Sequence, residues 1–75
     1  MIIKIYTETN NPFCGMAKQW LDINKYTYEE VCINDPHEIQ GFYESLEKSV
    51  DTLPQIFIDG KHIGGFDSLL RTDLV

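Results

Sequence analysis

Seventy-five residues amount to one domain, near the lower size limit for an independent hydrophobic core, and a 43% hydrophobic content places the chain among globular rather than disordered sequences. A net charge of -6 and a pI near 4.6 argue against nucleic acid, which demands a basic footprint, and against anionic membrane surfaces. No apolar run has the length of a spanning helix or a signal peptide, so a soluble, cytoplasmic protein is expected.

Ile2-Ile3-Lys4-Ile5-Tyr6 is short, β-branched and bounded by polar residues, and predicts a strand. Phe13, Met16, Ala17, Trp20 and Leu21 then recur at helical spacing. Asn11 is a favoured N-cap for that helix and Pro12 suits its first position. Tyr26 to Ile33 predicts a second strand with Cys32 in the core, between Val31 and Ile33. A second helix is announced by Asp35 as cap, Pro36 in the first turn and Glu38 at capping-box spacing. Ile39, Phe42, Tyr43 and Leu46 would form its buried face. Gln55-Ile56-Phe57-Ile58 and Lys61-His62-Ile63 flank Asp59-Gly60, a strong hairpin signal. Gly64-Gly65 ends the hairpin, and Phe66, Leu69, Leu70 and Leu74 suggest a short last helix.

The order β-α-β-α-β-β-α makes the first two strands parallel with a right-handed crossover and the last two antiparallel. A small mixed sheet covered by helices is the expected architecture, in one α/β domain spanning residues 1–75.

Cys14 and Cys32 are too few for a disulfide scaffold and lack the partners of a zinc site, so no metal is expected. Neither His37 nor His62 has a partner at metal or triad spacing. For Cys14 the alternatives are a small buried hydrophobe and a redox thiol. On the helical wheel it lies on the sheltered flank beside Ala17 and Leu21, while position 11 points to the solvent side.

Two stretches carry a resemblance that nearly spans the chain. IYTETNNPFCGMAKQWL is similar to the first strand, active-site loop and first helix of glutaredoxins, and TLPQIFIDGKHIGGFDSL to their Thr-Val-Pro segment, hairpin and Gly-Gly-x-Asp turn. The chain thus resembles a short glutaredoxin of the bacterial or phage kind. That resemblance implies a thioredoxin-like fold with a four-stranded mixed sheet and three helices. It also implies a glutathione-dependent thiol–disulfide oxidoreductase, monomeric, acting on glutathione and disulfide-containing proteins.

Glutaredoxins carry Cys-Pro-Tyr-Cys at the start of the first helix, and here the matching residues are Asn11-Pro12-Phe13-Cys14. Asn11 therefore stands at the nucleophile position and Cys14 at that of the resolving cysteine. An amide cannot attack a disulfide, carry the mixed disulfide and leave again as a thiolate does, so impaired catalysis is expected. The resemblance further implies a cis bond at Leu53-Pro54, with glutathione pairing with the Leu53 backbone like an added strand. By the same resemblance Phe13, Gln40 and Thr52 belong to the glutathione site, and Gly64, Gly65, Phe66 and Asp67 hold its γ-glutamyl end. Glu8 stands where many relatives place a lysine for the glycyl carboxylate, a change unfavourable to the ligand. Two functional readings stay open on the sequence: an oxidoreductase impaired at Asn11 or working through Cys14, and a redox-silent module that binds a peptide or protein.

Overall fold

The computed structural model describes residues 1–72. Its elements are β1 (Ile3–Thr7), α1 (Pro12–Ile23), β2 (Glu29–Cys32), α2 (Pro36–Ser45), β3 (Gln55–Ile58), β4 (Lys61–Gly64) and α3 (Phe66–Arg71), the order the sequence predicts. The proposed extension of the last helix to Leu74 lies outside the described residues. The sheet runs β2-β1-β3-β4, with β1 and β2 parallel and the other neighbours antiparallel.

Alternation along β1 assigns the two faces. Ile3, Ile5 and Thr7 point to one side and are buried, and the two isoleucines pack with Ala17 and Leu21 of α1, Leu69 of α3 and Ile56 of β3. Tyr6 points to the other side, where it stacks on Phe42 of α2 at 4.4 Å and meets Phe57 edge-on at 5.5 Å. One face thus carries α1 and α3, the other α2. None of the α2 residues is fully buried: Ile39, Phe42, Tyr43 and the C-cap Leu46 are half-buried, so the predicted apolar face is only partly covered.

The face that α1 buries is rotated from the predicted one. Cys14, Ala17 and Leu21 are buried, whereas Phe13 and Met16 are 59% and 46% exposed. Leu21 and Ala17 set the rotation by meeting the isoleucines of β1, and Trp20 finds a partner in Tyr26 instead. The second strand is also shorter than Tyr26–Ile33. Tyr26 and Tyr28 leave the ladder and pack on the core as part of the loop after α1.

Cys32 is exposed, against the expectation of a core residue. It ends the edge strand β2, whose residues are mostly exposed, while the following Ile33 is buried. The Asp59-Gly60 turn forms as predicted, with both residues at positive φ (51° and 82°). No helix among the described residues is long and apolar enough to cross a membrane.

Candidate active-site groove

The loop from Glu8 to Asn11 delivers the chain into α1. Asn10 takes a positive φ of 62°, and Asn11 caps the helix with extended backbone. The Asn11 Oδ1 accepts from the Phe13 N–H at 2.9 Å and the Cys14 N–H at 3.4 Å. The Phe13 N–H is one that a helix start leaves without a backbone partner, whereas the Cys14 N–H also donates to the Asn11 carbonyl at 3.1 Å.

The same side chain also reaches across the fold. Its Nδ2 donates to the backbone carbonyl of Leu53 at 2.8 Å and to the Glu8 carboxylate at 3.0 Å. Asn11 is accordingly half-buried and turned towards the Leu53-Pro54 segment, not towards open solvent as the helical wheel suggests. The wheel places a helical residue, and a cap with extended backbone departs from it.

Leu53-Pro54 is a cis peptide bond. It faces the helix start across a groove of about 270 Å³ lined by Phe13, Thr52, Leu53, Pro54, Gly65, Phe66 and Asp67. Seven of the nine residues that the resemblance assigns to glutathione therefore share one cavity, Gly64 and Gln40 being the exceptions. Gly65 brings the backbone close at its floor: a Cβ there would lie 3.3 Å from the Pro54 carbonyl oxygen. Gln40 is not part of this groove. It is exposed on α2, donates to Glu44 at 3.3 Å, and lines a separate cavity with Tyr43 and Ser49.

Neither sulfur lines the groove. Cys14 is 2% exposed, and burial pushes its thiol above the ordinary value of 9.0, against an opposing hydrogen bond from the Glu8 backbone. Cys14 and Cys32 both line a second cavity of about 520 Å³ on the other flank of the loop, with Glu8, Lys18 and Glu30. There the Lys18 ammonium bonds Glu30 at 3.0 Å and Thr7 Oγ1 donates to the same carboxylate at 2.7 Å. The Thr7 and Lys18 hydrogen bonds hold the Glu30 carboxyl below its ordinary value. Cys32 Sγ lies 3.8 Å from Thr9 Oγ1 and 3.7 Å from Asn34 Nδ2.

Behind the groove, Gln55 is buried and braces the loop by donating from Nε2 to the Thr52 carbonyl at 2.9 Å. Its Oε1 meets His62 Nε2 at 2.7 Å. Because that oxygen only accepts, His62 must carry its proton on Nε2. Burial lowers the His62 pKa from 6.5, and its Nδ1 is buried with no hydrogen-bond partner among the described residues. In the sequence His62 is a hairpin residue without a partner, and only the fold shows its link to the loop.

The family model for Glutaredoxin matches residues 3–63. The chain belongs to the glutaredoxin family. It is 37% identical over 71 residues to a probable glutaredoxin of Synechocystis, covering 95% of this chain and 81% of that protein. Among solved structures, glutaredoxin 1 from Francisella tularensis complexed with cacodylate superimposes with a TM-score of 0.88 at 38% identity, covering 93% of this chain and 88% of the other. A buckwheat glutaredoxin–glutathione complex shares the fold, with a TM-score of 0.77 at 23% identity over 92% of this chain and 64% of the other. Family and fold are those of thiol–disulfide oxidoreductases. Among the described residues no group of three or more His, Cys, Asp or Glu side chains is placed to hold a metal.

Proposed function

We propose that this chain is a glutaredoxin that receives glutathione in the groove between Phe13, the Thr52–Pro54 segment and Gly65–Asp67, and is impaired in thiol–disulfide exchange because Asn11 stands in the nucleophile position. The observation that carries the reading is the burial of Cys14. It is the one sulfur at the helix start, and at 2% exposure it has no path for in-line attack on a disulfide. Burial also keeps it protonated, whereas exchange needs the thiolate. The field of the helix start is present, but Oδ1 of Asn11 takes up its N–H groups.

Glutathione and disulfide-bearing proteins are the partners this reading names, met by a monomer in the cytoplasm. In the groove the ligand's extended backbone would lie along Leu53, with its γ-glutamyl end towards Gly65 and Asp67. The reading is tested by incubating the protein with oxidised glutathione and mapping adducts by mass spectrometry. We expect Cys14 to remain unmodified while the fold is intact. Stoichiometric glutathione on Cys14 would contradict the reading.

A second reading, a redox-silent module that binds a peptide or protein segment, is favoured by one observation. The seven-residue groove is assembled even though it holds no sulfur. The two readings part on ligand: the first requires glutathione to bind, and the second a peptide without a thiol.

A further inference from the structure

The Asn11 side chain makes four hydrogen bonds, to three separate parts of the chain. Oδ1 closes the start of α1, one Nδ2 proton goes to Glu8, and the other crosses to Leu53 O at 2.8 Å. Capping alone needs none of the donors, since a helix start asks only for an acceptor. A serine would cap as well and leave the Leu53 carbonyl free. The bond to Leu53 is therefore a property of asparagine and not of capping.

Its position gives it a consequence. An extended peptide that adds itself to a strand edge must give its N–H to a backbone carbonyl of that edge. Leu53 lines this groove and supplies the carbonyl, and the Asn11 carboxamide, reaching it from the neighbouring cavity that Asn11 lines, already takes one of its two acceptor positions. A side-chain amide is chemically the group that a ligand's peptide bond would offer. The amide cannot turn over to vacate the site cheaply, because a flip would aim Nδ2 at two N–H donors and Oδ1 at a carboxylate and a carbonyl.

We infer that Asn11 is a built-in competitor at the edge of the groove: its carboxamide donates to the Leu53 carbonyl that an incoming peptide would use, so that a ligand bonding there competes with it. The inference rests on the groove being the peptide site proposed above. It adds that position 11 weakens ligand binding itself, separately from the loss of a nucleophile. A peptide lacking any thiol meets the same obstacle as glutathione.

The test compares the parent with Asn11→Ser, which keeps a capping oxygen and removes the donor to Leu53. Binding of S-methylglutathione, which cannot exchange disulfides, is followed by amide chemical shifts. The variant should bind about three- to tenfold tighter, the range for one net hydrogen bond no longer displaced. Equal or weaker binding by a folded Asn11→Ser protein overturns the inference and leaves the groove reading standing. A ligand bound by neither protein overturns both. A second measurement needs no variant. In the parent the Asn11 Nδ2 protons should exchange slowly with solvent and become faster as S-methylglutathione saturates the groove. Saturation without any change at these protons contradicts the displacement.

Discussion

Asn11 could be read from the sequence as a cap and, through the family resemblance, as the residue in the nucleophile's place. Its reach to Leu53, 42 positions away, could not, because the cis-proline loop comes beside it only in the folded chain. Cys14 was legible as sheltered from its place near Ala17 and Leu21. The apolar neighbours Val31 and Ile33 point to a buried Cys32, yet the sequence also carries the opposite signal. Glu29-Glu30 just before it mark an edge strand, since a central strand does not bury two carboxylates. The exposures predict which thiol reacts. Under limiting iodoacetamide at neutral pH, Cys32 should be alkylated at least about tenfold faster than Cys14, because Cys32 is exposed while burial both shields the Cys14 sulfur and raises its thiol pKa. Peptide mapping with time measures the ratio, and equal rates would contradict the burial of Cys14.

At the scale of the element, turn chemistry and caps were the most legible features. Asn11-Pro12 and Asp35-Pro36 open their helices as expected, the latter with Asp35 accepting from the Glu38 N–H at 3.0 Å. Which face each helix buries was less legible: Phe13 and Met16 fit the α1 stripe in spacing but lie beyond what the sheet and α3 cover. The Gly64-Gly65 pair reads as a strand end, and the structure shows a different need at each member. Gly64 has φ +123°, and a Cβ there would collide with the Ser68 side chain in α3. Gly64→Ala should therefore destabilise the protein by about 1–3 kcal/mol, as strained substitutions at positive φ do. Urea unfolding measures it; an unchanged midpoint would show that β4 and α3 can separate without cost.

Across the whole molecule, three ionisable groups set a pH window for stability. Glu30 has a depressed carboxyl pKa, so its contribution is present above the ordinary carboxylate range and is lost as pH falls through the folded value. His62 is depressed below 6.5, so its neutral form favours the fold above that value and the benefit is lost on acidification. Cys14 is raised above 9.0, so its contribution is whole below 9.0 and is lost as pH rises through the folded value. Denaturant midpoints should peak between about pH 7 and 8.5 and fall on both sides. Replacing His62 by glutamine should reduce the fall between pH 7 and 5, and an unaltered slope there would remove His62 from the account. The fold as a whole was legible because strand order, crossover hand and hairpin follow from period and turn signals. The bracing of the loop by Gln55 and His62 was not, since it depends on side chains that meet only after β3 and β4 pair.

The central claim is that the fold and groove of a glutaredoxin are present while the attacking sulfur is not. Glutathione-dependent reduction of hydroxyethyl disulfide, compared between the parent and Asn11→Cys, tests it most directly. A thiolate at position 11 would sit at the start of α1 beside the Leu53-Pro54 segment, with the helix N–H groups to stabilise it. The account predicts turnover at background for the parent and a rise of at least about a hundredfold for Asn11→Cys, since a nucleophile's removal costs several powers of ten. Robust turnover by the parent, abolished when Cys14 is replaced by serine, would contradict it.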